Sequence, residues 1–167
     1  MSSTGPIAVR ILGASDLAVL EHVDADVFDN PVRPELAAQF LANPGNVLAV
    51  AIESGVVVGM GSAIAYVHPD KPLALFINEV GVSRRCQGLG VGKRLMSALL
   101  DRGRLMGCTE AWVATEDDNT AARALYRSAG GREDSAHAVV FTWPLLDALD
   151  GYLAGQQRLN TTGAGEE

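Results

Sequence analysis

The sequence has few of the residues that mark several large classes of protein. Its 167 residues include only two cysteines, Cys86 and Cys108, too few for a disulfide-stabilised scaffold. Basic residues are also scarce, because 13 Lys and Arg stand against 20 Asp and Glu, which gives a formal charge of −7. A chain with this balance repels polyanions and attracts cations. We therefore predict a cationic small-molecule partner and no nucleic acid.

Long apolar runs are absent as well. The most apolar stretch, residues 46–66, is interrupted by the polar turn 53–55 and by two further glycines, so it predicts two strands and not a membrane span. The first six residues have neither the basic nor the apolar segment of a signal peptide. We expect a cytoplasmic protein without a membrane partner. The scattered His and Cys residues predict no metal site.

The apolar residues that are present alternate between strand and helix spacing. The order β-α-α-β-β-β-α-β-α-β predicts one α/β domain over residues 1–154, with a mixed central sheet, flanking helices and a flexible tail at 155–167. The predicted loop between the third and fourth strands is 68–72. The predicted strands are 7–12, 47–52, 56–66, 73–82, 111–115 and 139–143, and the predicted helices are 15–27, 34–41, 91–106 and 119–129.

The most informative segment is a glycine-rich turn between a strand and a helix. It contains Gly88, Gly90 and Gly92, with Arg84 and Arg85 just before them. Free N–H groups at the start of a helix attract an anion, so the segment predicts a pyrophosphate site. Neither a Walker A loop nor a dinucleotide-binding GxGxxG motif fits the glycine spacing. The alternative is a tight strand-to-helix turn with no ligand.

The pattern Arg85-x-x-Gly88-x-Gly90 resembles the acyl-CoA pyrophosphate loop of the GNAT superfamily of N-acetyltransferases. A second segment, 119–131, is similar to another element of that family, and the resemblance covers residues 7–143. It implies acetyl-CoA as co-substrate and no metal. The residues that it assigns to the cofactor are Val80, Val82, Arg84, Arg85, Gln87, Gly88, Leu89, Gly90, Val91, Gly92, Asn119, Ala122 and Tyr126.

Within this superfamily the segments 27–31, 66–72, 76–82 and 110–115 resemble GNAT-type aminoglycoside 3-N-acetyltransferases. The resemblance implies direct transfer of an acetyl group to an aminoglycoside in a ternary complex, as in antibiotic resistance, and a possible homodimer. Two alternatives stay open. One is acetylation of another small amine or of a protein N-terminus, and the other is a non-catalytic acyl-CoA-binding module.

Two residues are candidates for proton transfer. Glu79 is a carboxylate inside an apolar strand, where an unpaired charge is costly, so we expect it to be the general base. The resemblance implies that Tyr126 is the general acid. The alternatives are an exposed or ion-paired Glu79 and a Tyr126 that only packs against the sheet. Asn119 is explained equally well as a helix N-cap, and a backbone N–H near 81–82 is expected to stabilise the oxyanion.

A cationic acceptor needs acidic residues around its amine. Acids occur near the first helices and after the penultimate strand, although most surface acids are merely solvated. Asp26 and Asp118 are further candidates, and Asp118 is also explained as an acid at a helix start. The residues assigned to the acceptor are Asp29, Glu35, Glu79, Glu116 and Asp117. Cys86 as an acyl-accepting nucleophile is set aside, because no His and Asp accompany it in sequence.

Overall fold

Five strands form one mixed sheet in the order β1-β2-β3-β4-β5, in a computed structural model that describes residues 5–134 and 139–143. The first four strands pair antiparallel, and β5 lies parallel to β4. This confirms the predicted mixed α/β fold. The strands are β1 Ala8–Leu12, β2 Asn46–Glu53, β3 Val56–His68, β4 Lys71–Val82 and β5 Glu110–Val113.

The turn predicted between β2 and β3 is confirmed. Ser54 and Gly55 occupy its two central positions with φ of 49° and 83°. Two left-handed residues match the twist of the flanking strands, which is why two-residue hairpin turns favour small or glycine residues. The turn places Glu53, the last residue of β2, directly beside the start of β3.

In the described part of the chain three α-helices accompany the sheet, namely α1 Pro34–Ala42, α2 Val91–Leu105 and α3 Thr120–Ser128. Leu95 and Leu99 of α2 are buried with Ala63 and Leu75 of the sheet, which forms the core on one face. The core on the other face includes Leu20, Val27, Val50 and Met60. Burying an apolar stripe of a helix on a sheet face is the main source of stability in such a layered fold.

The predicted helix 15–27 is wrong in type and length. The structure has a 3₁₀ helix at Ala14–Glu21, after which the chain leaves the helix to lie alongside the start of β3. Val23 forms a parallel bridge with Val57, and the Val57 N–H donates to the His22 carbonyl at 2.8 Å. Pairing with a strand therefore overrides the helical spacing of the apolar residues.

Two further predictions need correction. The loop predicted at 68–72 is only a two-residue turn in the structure, because His68 of β3 pairs with Lys71 of β4. Val139 to Trp143 carry no strand. Their β-branched and aromatic side chains favour extended backbone, but a strand also needs a partner, and β5 pairs only with β4 among the described residues.

The chain divides into two compact units, Met1–Glu133 and Asp134–Glu167. The sheet and helices α1, α2 and α3 belong to the first unit. In the second, the rings of Phe141 and Trp143 are 5.9 Å apart, and the predicted tail 155–167 lies outside the described residues. Within the described ranges, no helix is long and apolar enough to cross a membrane.

Candidate active site

Strand β4 and the edge strand β5 separate halfway along β4. Pairing between β4 and β5 ends at Ile77 and Val113, whereas β4 continues beside β3 to Val82. The Ser83 N–H donates to the Val58 carbonyl of β3. Because N–H groups alternate along a strand, those of Val80 and Val82 point to the edge that β5 has left. Both residues were predicted to bind the cofactor, and Val82 lies in the region where a backbone N–H was expected to stabilise the oxyanion.

A bulge in β4 determines where Glu79 points. Ser62 lies opposite Glu79 and Ala63 lies opposite Ile77, which leaves Asn78 as an extra residue. Ile77 faces α2, and after the bulge Val80 faces it as well. Glu79 is thereby turned to the opposite face of the sheet, as bulges commonly do to a side chain. With regular alternation and no bulge, Glu79 would share the face of Ile77 and point toward the α2 core.

Glu79 is half-buried, and burial is the main reason that its pKa is raised. The negative charge of Asp29 raises this pKa further, so the structure brings together two residues predicted for the acceptor. The approach is made possible by Gly81, where any Cβ would collide with the carbonyl oxygen of Val27. A glycine at this position lets the chain that leads to Asp29 cross close over β4.

The glycine-rich turn has the geometry of an anion site. Gly88 and Gly90 have φ of 75° and 76°, and a Cβ at either would meet nothing within 4 Å. These glycines are therefore needed for the backbone conformation and leave open space beside it. No acceptor within the described residues is paired with the N–H groups of Gly88, Leu89 and Gly90. With the first N–H groups of α2 they form a positive end that fits the pyrophosphate of acetyl-CoA.

Some other members of the predicted cofactor set make internal contacts, whereas two are exposed. The side chain of Val91 is buried in the α2 core. Gly92 lies against Leu125 of α3, whose methyl carbons would be 3.2 Å from a Cβ there. The Gln87 side-chain amide donates to the Val82 carbonyl at 3.1 Å. Leu89 is exposed beside the turn, and Arg84 is exposed as well.

Arg85 does not present a free cation to this turn, contrary to the prediction. Its guanidinium forms ion pairs with Glu53 and, at 2.7 Å, with Asp24. The hydrogen bond to Glu53 and then that to Asp24 raise the pKa of Arg85. The positive charge expected from Arg85 is therefore offset by two carboxylates. Sequence reasoning missed both acids, since neither lies near the motif along the chain.

Helix α3 places Tyr126 with a second acid. Tyr126 is half-buried, and desolvation followed by the charge of Glu116 raises the pKa of its phenol. Asn119 is the N-cap of α3, because its side-chain oxygen accepts from the Ala122 N–H at 3.0 Å. The capping interpretation of Asn119 is thus confirmed, and the Ala122 N–H is used within the helix.

Two other acids predicted for the acceptor, Asp117 and Glu35, lie elsewhere in the fold. Asp117 pairs with Arg123 at 3.2 Å, so it holds the loop before α3 to that helix. Glu35 is exposed in the first turn of α1, where an acid is favoured by the helix dipole. Each proton-transfer candidate therefore has one acid whose charge raises its pKa: Asp29 for Glu79, and Glu116 for Tyr126.

Cys86 is unsuited to nucleophilic catalysis. Its side chain is buried in the α2 core, and burial raises the pKa of its thiol. A thiol is reactive as the thiolate, so both facts oppose acyl transfer through Cys86. Among the residues that the structure describes, no group of three or more His, Cys, Asp and Glu is placed to hold a metal ion.

Comparisons with known proteins agree with this geometry. Residues 17–130 match the family described as the acetyltransferase (GNAT) family. The chain is 32% identical over 133 residues to the N-alpha-acetyltransferase RimI of Mycobacterium tuberculosis, covering 77% of this chain and 80% of that protein.

Two solved structures share the fold. One is an aminoglycoside acetyltransferase from an uncultured soil metagenomic sample, in complex with sisomicin, with a TM-score of 0.68, 20% identity, and coverage of 83% of this chain and 97% of that one. The other is AAC(6')-Iy with a bisubstrate analogue, with a TM-score of 0.69, 18% identity, and coverage of 84% and 99%. The family match and the sequence relative together show that this chain belongs to the GNAT family of N-acetyltransferases.

Proposed function

We propose that this chain transfers an acetyl group from acetyl-CoA directly to a primary amine of a cationic acceptor. The observation that carries the proposal is the position of Glu79. It is a half-buried carboxylate with a raised pKa, on the part of β4 that β5 no longer covers. A base placed beside an open strand edge can take a proton from an amine that reaches that edge.

The residues divide into a cofactor side and an acceptor side. The N–H groups of the glycine-rich turn and the start of α2, with the exposed Arg84, would hold the pyrophosphate of acetyl-CoA, and the N–H groups of Val80 and Val82 would donate along the open edge of β4. Acetyl-CoA supplies the activated acetyl group when bound. Asp29 attracts the ammonium form of the acceptor, and Glu79 accepts its proton. The amine displaces the CoA thiolate from the acetyl carbonyl, and Tyr126 would donate a proton to that leaving sulfur. Tyrosine is protonated at neutral pH, and burial and Glu116 raise the pKa of Tyr126 further.

The first substrate class is an aminoglycoside. Asp29 and Glu79 provide two carboxylates at the acceptor side, and the chain has an acidic excess, with a charge of −7, which suits a polyamine. The similarity in fold to aminoglycoside acetyltransferases supports this class. The name AAC(6')-Iy specifies the 6' position, whereas the sequence resembles 3-N-acetyltransferases. The proposal therefore does not specify which amino group reacts.

A protein N-terminus is the second candidate. The observation that favours it is the 32% identity to an N-alpha-acetyltransferase, since the aminoglycoside acetyltransferases share only 18–20%. An N-terminal amine carries one positive charge beside a peptide chain, so it needs fewer acids than an aminoglycoside. The two candidates share the chemistry at Glu79 and differ in what surrounds the amine.

A panel of amines tests the proposal. CoA release from acetyl-CoA is measured with several aminoglycosides, with short peptides of different first residues and with small polyamines, and the products are examined by mass spectrometry. Turnover of an aminoglycoside supports the first class, and turnover of peptides alone replaces it with the second. CoA binding by calorimetry without turnover of any amine would instead indicate a binding module.

Two features of the proposal concern the protein's surroundings. We propose a cytoplasmic location, which fits the two free cysteines Cys86 and Cys108 because a reducing compartment keeps thiols unpaired. The homodimer implied by the family resemblance stays a prediction, and sedimentation equilibrium of the full chain measures it.

A further inference from the structure

We infer that Arg85 is a positioning residue for the acceptor side of the site, which it ties to the glycine-rich turn, and that its side chain does not bind the cofactor. The inference rests on the proposed function and deepens it. Arg85 opens the motif that resembles a cofactor loop, so a phosphate ligand is the expectation from sequence. Its side chain instead contacts the segment that carries Asp29.

The guanidinium of Arg85 is engaged by two carboxylates from distant parts of the chain. Nη1 donates to Glu53 at the end of β2, and Nε donates to Asp24 at 2.7 Å. Glu53 is only 6% exposed. A buried carboxylate has lost its hydration and needs a paired cation, so the Arg85 side chain is not free to turn to another anion.

A second contact joins the same two segments. The backbone N–H of Arg84 donates to the Asp26 carboxylate at 2.8 Å, and this hydrogen bond is the main reason that the pKa of Asp26 is lowered. The Asp24 N–H in turn donates to the Val57 carbonyl of β3 at 3.0 Å. Residues 24–26, which we call the acidic strap, are thus held between the start of β3 and the residues just before the glycine-rich turn.

The acidic strap leads directly to the acceptor side. The next residue, Val27, is buried, and its carbonyl lies against Gly81 of β4. Two residues further on lies Asp29, whose negative charge raises the pKa of Glu79. A strap released from Arg85 would move Asp29 relative to Glu79, while the N–H groups of Gly88, Leu89 and Gly90 would keep their own backbone geometry. Loss of Arg85 should therefore impair use of the amine more than binding of CoA.

Arg85→Gln tests this, with KM for the amine, the pH profile of kcat/KM and the Kd of CoA as readouts. We expect the KM for the amine to rise about tenfold, the acidic limb of the profile to move to lower pH as Asp29 leaves Glu79, and the Kd of CoA to change less than about threefold. Arg84→Gln should show the reverse, with weaker CoA binding and little change in the KM for the amine. Arg104→Gln, which breaks the exposed pair with Asp101 on α2, is the matched control.

Two other variants protect the test against a folding failure, because Arg85→Gln leaves Glu53 buried without its cation. The double variant Arg85→Gln with Glu53→Gln removes that charge. Asp24→Asn keeps the Glu53 pair and loosens only the strap. Both variants should raise the KM for the amine. Arg85→Lys should raise this KM less than Arg85→Gln does, since an ammonium retains one ion pair.

Hydrogen exchange of the full chain gives a readout that needs no turnover. In Arg85→Gln, and in the double variant, the amides of Asp24 and Val27 should exchange faster than in the wild type, while those of α2 stay protected. If no amine is turned over by the wild type, the proposed function fails, but exchange and CoA binding still decide the role of Arg85. Weakening of CoA binding by about tenfold with unchanged exchange at the strap would overturn the inference.

Discussion

Glu79 owes its orientation to a bulge in β4. The bulge at Asn78 turns Glu79 away from the α2 core, and Gly81 then allows the chain near Val27 to pass closely enough for Asp29 to act on it. Desolvation and a neighbouring negative charge both disfavour the ionised carboxylate, so the pKa of Glu79 lies closer to the range where a base works near neutral pH. The same charge attracts a cationic acceptor.

Asp29→Asn should therefore shift the pH dependence of the reaction. Glu79 acts as a base only when it is deprotonated, so the rate rises with pH through its pKa. Removal of the Asp29 charge lowers this pKa, and the acidic limb of kcat/KM should move to lower pH, while the KM for the amine rises roughly three- to tenfold. Asp101→Asn on the surface of α2 is the control. An acidic limb that stays in place would show that Asp29 does not act on Glu79.

Tyr126→Phe should reduce kcat by about 10²-fold, the usual contribution of a general acid. The phenylalanine ring preserves the packing of Tyr126 against the α2 core, so the melting temperature and the Kd of CoA should change little. Because the pKa of Tyr126 is raised, the alkaline limb of the wild-type profile should lie above the ordinary range of tyrosine and be lost in the variant. A kcat within about threefold of the wild type would remove Tyr126 from the mechanism.

At the scale of elements, the sequence predicted those features that depend on neighbours along the chain. The two-residue turn at 54–55, the start of α1 at Pro34 and the Asn119 cap each have a local physical cause. The helix predicted at 15–27 failed because its second half pairs with β3, and the strand at 139–143 failed for want of a partner. Both depend on residues far away in sequence.

The glycine-rich turn can be tested against a matched position on the same helix. Gly88→Ala forces an alanine into a left-handed conformation, at a cost of about 1–2 kcal/mol, and should weaken CoA binding about tenfold as the turn rearranges. Gly107, after the other end of α2, has the same left-handed conformation with φ of 87° and equally open space.

Gly107→Ala should therefore lower the melting temperature to a similar degree and leave the Kd of CoA unchanged. Calorimetric titration with CoA and thermal unfolding of both variants make the comparison. Equal weakening of CoA binding in the two variants would mean that Gly88 contributes only stability.

For the molecule as a whole, the acidic excess is reflected in the pairing of its few basic residues with acids. Arg84 and Arg85 were expected to lie at the cofactor, yet Arg85 is neutralised by Glu53 and Asp24. Neither pair of Arg85 was predictable from sequence, because Asp24 and Glu53 lie 61 and 32 residues away along the chain. Arg84 and the N–H groups at the start of α2 are left to attract the anionic cofactor, and the net charge of −7 favours cations elsewhere.

This charge distribution predicts a salt effect that depends on the acceptor. The KM for a polycationic amine should rise severalfold as ionic strength increases from about 0.05 M to about 0.5 M, because salt screens the attraction between separated charges. A monoamine should show a much smaller change. Initial rates across this range, at saturating acetyl-CoA, provide the measurement, and equal salt dependence for both amines would contradict an acidic acceptor side.

The central claim is that Glu79 takes the proton from the amine that receives the acetyl group. Its most direct test is the rate of amine-dependent CoA release by the wild type and by Glu79→Gln at neutral pH, with CoA binding measured in both. The account predicts a loss of about 10²-fold in the variant with an unchanged Kd for CoA. Amine-dependent release within about threefold of the wild-type rate would contradict it.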